Sequence, residues 1–219
     1  MALANFDTLP GVIPVFPLAG VMLLPRGRLP LHIFEQRYLQ MTEDAMSADR
    51  LIGMVQPTDP ADAGERPEIY QTGCVGRITS FAETDDNRHN IVLTGIARFQ
   101  VQRELPPDAL LYRRVSVDFT PFKQDLDAPA AFQLDRDKLV PALKDFFAHK
   151  GLDANWDVVE KSEDDELLIG LSMVCPFSPS EKQALMQCEN SAERADMLSA
   201  LIEMARYEMG VGMNLGGQQ

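Results

Sequence analysis

Two apolar stretches near the N-terminus, Ile13-Pro-Val-Phe-Pro-Leu18 and Leu29-Pro-Leu-His-Ile-Phe-Glu-Gln-Arg-Tyr38, decide the fold. The first is typical of a short buried strand, with prolines where the chain turns. From residue 30 to residue 46 the apolar positions recur at helical spacing. This spacing predicts one early helix whose buried face holds Phe34, Tyr38, Met41 and Ala45.

Up to about residue 120, the apolar segments that follow are short, β-branched and separated by Pro, Gly and Asp. Phe99 and Val101 alternate with Arg98, Gln100 and Gln102, the pattern of a strand that is buried on one face only. Several short strands and one early helix predict a small closed or rolled β-sheet, and not a parallel sheet flanked by helices.

Beyond about residue 130 the apolar residues follow a helical period instead. Ser178-Pro-Ser-Glu181 has the form of a capping box with proline at the first helical position. The sequence therefore predicts an α+β protein: a β-rich subdomain over residues 1–120, a linker over 121–129, an all-helical bundle over 130–211 and a flexible tail over 212–219.

The chain of 219 residues carries a formal net charge of −13, which opposes binding to nucleic acid and to anionic lipid. Its three cysteines do not form a C-x-x-C pair, so free thiols in a reducing compartment are the simplest interpretation. We find no signal peptide and no apolar tract long enough to span a bilayer. These features predict a cytoplasmic protein that binds neither nucleic acid nor membrane.

No pattern in the sequence predicts catalysis, a metal site or a cofactor. No lysine follows a glycine, so a phosphate-binding loop is absent, and the three histidines lack chelate spacing. Ser178 and Lys182 are spaced like a Ser–Lys pair, but the capping box explains Ser178 and predicts an exposed Lys182 on the first turn. Cys74 is predicted to be a thiol in the core of a strand.

Four residues are candidates for contact with a partner. Met22 and Leu24 lie in a loop-like stretch between two prolines, beside Arg26, and an exposed apolar loop suits the capture of unfolded segments. Arg37 lies among apolar neighbours on the predicted helix. Either it binds a partner, or it forms a structural ion pair or a bond to backbone carbonyls that ties the helix to the sheet.

The opening block resembles the Lon-type substrate-binding domain, the N-terminal domain of ATP-dependent protease La. Pro14-Val-Phe-Pro-Leu18 and Leu31-His-Ile-Phe-Glu-Gln-Arg-Tyr38 are its most specific part, and Thr72-Gly-Cys-Val-Gly76 and Gly95-Ile-Ala-Arg-Phe99 are similar to later family segments. The resemblance implies a β-subdomain of PUA-like topology joined to a helical bundle, with no catalytic residues. It also implies binding of unfolded or misfolded polypeptides, or of a protease or chaperone partner.

The sequence as given ends before the ATPase and peptidase domains of such a protease, so we expect a non-catalytic recognition or adaptor module. Two other functions stay open at this point. PUA-like folds can bind RNA or nucleotides, although the acidity of this chain opposes that function. A small hydrolase whose site is assembled only in three dimensions would need Cys74 or Ser178 beside a histidine in a cleft.

Overall fold

The computed structural model of the chain describes residues 8–62, 64, 66–107, 109–128 and 132–215. These residues form two compact units. The first is drawn from Met1–Pro129 and Met173–Met186, and the second from Ala130–Ser172 and Gln187–Gln219. The predicted bundle over residues 130–211 therefore differs from the structure in one segment, because Met173–Met186 groups with the strands.

The first unit is built on a six-stranded sheet and one α-helix near its start. The strands are β1 Val12–Pro17, β2 Arg28–Ile33, β3 Leu51–Val55, β4 Thr72–Glu83, β5 His89–Glu104 and β6 Arg113–Asp118. Helix α1, Gln36–Met46, lies between β2 and β3 in the sequence.

Five of the strands close into a ring, because β5 pairs with both β4 and β6. The other neighbours around the ring are β4 with β3, β3 with β1 and β1 with β6, and only the β1–β3 pair is parallel. Strand β5 is 16 residues long: its second half pairs with β6 and its first half pairs with β2. This closure confirms the predicted closed sheet in an α+β fold.

The inside of the ring is a dry apolar core. Its members alternate along the strands, as a barrel requires. The buried cluster consists of Ile13, Val15, Leu51, Val55, Ile69, Val75, Ala97, Phe99, Val101, Val115, Val117 and Phe119. Phe99 and Val101 are thus buried as the alternating pattern predicted.

The predicted helix over residues 30–46 is wrong in its first third. Residues 28–33 form strand β2, and the helix begins only at Gln36. The residue before Pro30 is biased towards extended backbone, and antiparallel pairing with β5 then fixes the strand. Tyr38, Met41 and Ala45 are buried as predicted, whereas Phe34 precedes the helix and its side chain is 60% exposed.

The loop between β1 and β2 lies directly on the sheet, over two glycines. A Cβ atom on Gly95 would stand 2.0 Å from the carbonyl oxygen of Leu24, and one on Gly76 would stand 2.6 Å from a methyl group of Leu23. The loop also pairs with β5, because Arg26 N donates to the Gly95 oxygen and Gly95 N donates to the Gly27 oxygen, each at 2.9 Å. Because the atoms that a Cβ on Gly95 would meet belong to the backbone, this close approach requires a glycine at position 95.

The segment that the sequence predicted as a linker holds a 3-10 helix, Thr120–Leu126, and one partner of a buried ion pair. Asp125 accepts two bonds from the Arg98 guanidinium, at 2.9 and 2.8 Å, and Arg98 Nη1 donates to the Met186 oxygen at 3.0 Å. Arg98 is only 1% exposed. The simple alternation in β5 predicted a solvent-facing Arg98, and this expectation is wrong because a charged partner and a carbonyl take up its donors.

Helix α5, Pro179–Gln187, packs on the first unit through polar contacts. Lys182 Nζ donates to the oxygens of Gly20 and Met173, at 2.8 and 3.0 Å, and Gln183 Nε2 donates to the Thr72 oxygen at 3.1 Å. The prediction of an exposed Lys182 is wrong, because the ammonium group replaces water with these carbonyls and the side chain is buried.

The second unit is helical. It contains α2 Arg136–Lys150, α3 Trp156–Lys161, the part of α4 Asp164–Val174 that precedes Met173, and α6 Ser191–Leu215. Asp135 caps the start of α2, and Gly151 ends it with a φ of 65°. Because α6 continues to Leu215, residues 212–215 of the predicted flexible tail are helical, and residues 216–219 lie outside the described part.

Candidate functional site

An open groove of about 650 Å³ lies on the first unit. Four stretches that are distant in the sequence form it: the end of β1, the start of α1, the loop between β3 and β4, and the residues that lead into β6. The lining residues are Val15, Pro17, Glu35, Gln36, Arg37, Tyr38, Gly64, Arg66, Leu111, Tyr112 and Arg113. The lining is mixed, with an apolar floor, two tyrosines and charged groups.

Arg37 and Tyr38 form the α1 side of the groove. Arg37 donates from Nε and Nη2 to Glu35 at 2.9 and 2.8 Å, and its guanidinium lies 4.6 Å from the centre of the Tyr38 ring. Burial raises the pKa of Tyr38, against the opposing positive charge of Arg37. At neutral pH the phenol is therefore uncharged, and the Arg37 guanidinium covers its ring.

Glu104 on β5 fixes the opposite wall. It accepts from Arg113 at 3.0 and 2.7 Å and also pairs with Arg66, while Arg113 Nη1 donates to the Pro67 oxygen at 2.8 Å. Burial opposes the ionised form of Glu104, but the hydrogen bonds and charges of Arg113 and Arg66 outweigh it and lower the pKa. The carboxylate thus stays ionised and holds the β3–β4 loop against β5.

The residues before β6 are held by α1. Leu111 N donates to the Gln40 side chain at 2.8 Å, and the Tyr112 hydroxyl donates to Asp44 at 2.9 Å. These bonds fix the backbone while the Leu111 side chain remains 56% exposed. An exposed leucine held rigidly beside a groove presents apolar surface at low cost in conformational entropy.

The structure separates the four residues that the sequence singled out for binding. Met22 and Leu24 are 1% and 0% exposed, so the proposed contact through an exposed apolar loop is wrong for these two. The loop is covered because glycines 76 and 95, far away in the sequence, let it lie on the sheet. Arg26 is exposed, has a φ of 66° and is not one of the residues that line the groove. Arg37 does line the groove.

Ser178 forms the predicted capping box. Glu181 N donates to the Ser178 hydroxyl at 3.3 Å, and Ser178 N donates to the Glu181 carboxylate at 2.7 Å. Lys182 is turned to the carbonyl groups of Gly20 and Met173 and makes no bond to the Ser178 hydroxyl that would activate it. The spacing of Ser178 and Lys182 thus reflects capping and packing.

The other groups considered for chemistry are buried or dispersed. Cys74, Cys175 and Cys188 are all buried and form no disulfide bond, and burial raises the pKa of Cys175 to about 12. Within the described ranges, His, Cys, Asp and Glu side chains form no group of three that could hold a metal ion. None of the helices in this part of the chain is both long enough and apolar enough to cross a bilayer.

Sequence reasoning missed most of the groove. Leu111, Tyr112, Arg113 and Arg66 were not among the residues that the sequence singled out for binding. The one available signal was the apolar run Leu110-Leu111-Tyr112 directly before a strand whose alternation begins at Val115. Such a run outside a regular element marks either a buried turn or an exposed contact surface.

Comparison with known proteins agrees with this architecture. The chain is similar in structure to the N-terminal domain of Lon protease from Mycobacterium avium complex, with a TM-score of 0.59 and 13% sequence identity. The match covers 88% of this chain and 98% of that domain. A Lon N-terminal domain protein from Xanthomonas campestris covers 86% and 97%, with a TM-score of 0.58 and 23% identity. At these identities the likeness shows a shared fold.

Among curated sequences, Lon protease 2 of Myxococcus xanthus is 32% identical over 104 residues, which are 45% of this chain and 12% of that protease. Lon protease of Cytophaga hutchinsonii is 22% identical over 200 residues, 90% of this chain and 24% of that protease. The chain thus spans at most about a quarter of the length of these two relatives. The family model of the ATP-dependent protease La (LON) substrate-binding domain matches residues 12–204, so the chain belongs to this family.

Proposed function

We propose that this protein is a recognition or adaptor module that binds unfolded or misfolded segments of polypeptide in the groove between α1, the β3–β4 loop and the start of β6. The observation that carries the proposal is the groove itself, on the unit that holds the most specific family motifs. A protease or chaperone that receives the bound segment is the expected partner. The proposal includes no catalytic step and no cofactor.

The groove chemistry suits a segment of mixed composition. Pro17 and Leu111 supply apolar contact, and Tyr112 supplies a half-buried ring. The arginines that line the groove are largely compensated by Glu35 and Glu104. A groove with largely compensated charges accepts segments of varied sequence, as such a module must.

The net charge of −13 disfavours nucleic acid as the occupant, because phosphate binding needs uncompensated Lys and Arg. Arg66 and Arg113 both pair with Glu104, and Arg37 pairs with Glu35. The three buried cysteines form no disulfide bond, which also favours a reducing compartment, and we propose a cytoplasmic location.

The test is a titration of the labelled protein with a reduced and carboxymethylated polypeptide that cannot refold. We expect weak binding, in the micromolar range or poorer, because the segment loses conformational entropy on binding. Leu111→Asp is expected to weaken it about tenfold or more, since it places a charge on the apolar surface. Leu152→Asp is the matched control, because Leu152 is also exposed, at 41%, and lies in the other unit.

Circular dichroism establishes that both variants fold before their affinities are compared. Equal loss of binding in both variants would point to a general effect of charge. Unchanged binding in Leu111→Asp would remove the groove from the proposal, and an absence of binding by the wild type would overturn the function.

A further inference from the structure

Strand β2 is the one strand at the end of the sheet order, with β5 on one side. The ring closes through β5 and β6, so among the described strands every other one has a neighbour on both sides over part of its length. The second side of β2 is therefore an open hydrogen-bonding edge. Such an edge is a template for another extended chain unless the protein blocks it.

The outward groups of β2 follow from the register. Residues 27, 29, 31 and 33 face β5, because Gly95 N donates to the Gly27 oxygen at 2.9 Å and the bonding positions of an antiparallel pair recur every two residues. Pro30, which has no N–H, is one of the residues whose backbone faces away from β5, and an edge strand tolerates proline there. Arg28 and His32 thus direct both N–H and C=O outward, and Pro30 directs its C=O outward.

The residues whose backbone faces away from β5 also have exposed side chains, which form a row along the edge. Arg28, Pro30 and His32 are exposed, while Leu29 and Leu31 are half-buried. The row continues into Phe34, which is 60% exposed and whose ring centre lies 6.2 Å from that of His32. The edge therefore offers a cation at one end and two neighbouring rings at the other.

We propose that the free edge of β2 binds an extended segment of an unfolded polypeptide by adding it to the sheet as a further strand, with Phe34 as its apolar anchor. This inference rests on the proposed function and specifies how the segment is held. Backbone groups supply affinity that is independent of sequence, which a module for unfolded chains needs. Phe34 directly precedes Glu35 and Gln36, which line the groove, so the edge and the groove adjoin in the chain.

Charge distinguishes this occupant from a second copy of the chain. Antiparallel self-pairing centred on Pro30 would place Arg28 of each copy opposite His32 of the other, and strand β2 contains no acidic residue to compensate. Two chains of net charge −13 also repel each other. A foreign segment with a carboxylate opposite Arg28 and an apolar side chain beside Phe34 supplies the missing opposite charge, and a short segment carries far less negative charge than a second copy does.

The experiment uses one synthetic ten-residue peptide of alternating acidic and apolar residues and two N-methylated versions of it. One version is methylated at the amides of odd-numbered positions and the other at the amides of even-numbered positions. Since alternate N–H groups of a strand point to opposite edges, each version lacks the donors of one edge of the peptide and keeps every side chain. An added strand donates from one edge only. We therefore expect one methylated version to bind about tenfold more weakly than the parent peptide and the other to bind within about twofold of it.

Residue-resolved amide exchange of the full chain identifies the edge. The N–H groups of Arg28 and His32 are expected to become protected when the peptide is added, whereas those of Leu29 and Leu31 already bond to β5 and change little. Phe34→Ser is expected to weaken binding, and Phe81→Ser is the matched control because Phe81 is an exposed phenylalanine on β4.

Equal effects of the two methylation patterns, or binding without protection of Arg28 and His32, would overturn the edge while leaving polypeptide recognition in place. Failure of both the peptide and the carboxymethylated polypeptide to bind would instead overturn the proposed function. Protection of Arg28 and His32 by a second copy alone, at high protein concentration, would make β2 a self-association edge and would also overturn the inference.

Discussion

Replacing Gly95 by alanine tests the way in which the β1–β2 loop is seated on the sheet. The new Cβ would stand 2.0 Å from the Leu24 oxygen, 2.8 Å from the Leu24 carbonyl carbon and 3.2 Å from Pro25 Cα. All three neighbours are backbone atoms, so no side-chain rotation relieves the clash. The loop must move away from the strand.

The magnitude follows from what the displaced loop loses. Overpacking of this kind costs about 1–3 kcal/mol. Moving the loop also breaks the two bonds between Gly95 and residues Arg26 and Gly27, each contributing about 0.5–1.5 kcal/mol. We therefore expect Gly95→Ala to lower the free energy of unfolding of the first unit by about 2–6 kcal/mol.

Urea denaturation with two site-specific probes measures this loss. Labelling of the Cys74 thiol, fully buried in β4, follows the first unit, and fluorescence of Trp156, the single tryptophan in the sequence, follows the second. At a slope of about 2 kcal/mol per M, a loss of about 2–6 kcal/mol moves the Cys74 midpoint down by about 1–3 M urea.

Gly170→Ala is the matched control. Gly170 lies on α4 with nothing within 4 Å of its added Cβ, so alanine is expected to stabilise the helix by about 1 kcal/mol. A Cys74 midpoint in Gly95→Ala within about 0.3 M of the wild type would refute the close approach of the loop.

Three further substitutions test the described contacts. Arg37→Ala is expected to change the free energy of unfolding by less than about 1 kcal/mol, since the Arg37–Glu35 pair is exposed, and a larger loss in chemical denaturation would make Arg37 structural. Asp125→Ala is expected to cost about 3–5 kcal/mol, because it leaves the Arg98 charge buried without its partner; unchanged thermal stability would contradict that pairing. Ser178→Ala is expected to cost about 0.5–2 kcal/mol through loss of the cap, and calorimetry that shows no loss would contradict the capping box.

The β-rich first unit and the helical second unit were predictable because strands and helices leave local patterns. Alternation at Phe99 and Val101, and the turn residues between strands, indicate strands, although the pairs that close the sheet, such as Val12 with Ser116, lie far apart in the sequence. The capping box at Ser178 is local too, since its two partners are three residues apart. Each of these features can be recognised within a window of about ten residues.

The features that sequence reasoning missed depend on partners far away in the chain. Leu24 is covered because Gly95, 71 positions further on, has no side chain. Arg98 is buried because Asp125 and the Met186 carbonyl receive its donors. Local sequence patterns predict that such side chains are exposed, which is wrong, because the patterns carry no information about distant residues that cover or pair with them.

The groove was unpredictable for a related reason. Its walls come from four stretches, and Leu111 and Tyr112 are held beside α1 by bonds to Gln40 and Asp44, about 70 positions earlier in the chain. Arg37 was singled out either as a partner-binding residue or as a tie between the helix and the sheet. It pairs with Glu35, two positions before it, and lines the groove.

The most direct test of polypeptide recognition is a residue-resolved NMR titration of the full chain with the carboxymethylated polypeptide. Amide shifts are expected to change first at Gln36, Arg37, Leu111 and Tyr112, around the groove, and to saturate with a single micromolar or weaker affinity. Residues of the second unit such as Leu143 and Phe146 serve as the internal reference. Shift changes confined to the second unit, or no saturable change at any residue, would contradict recognition through this groove.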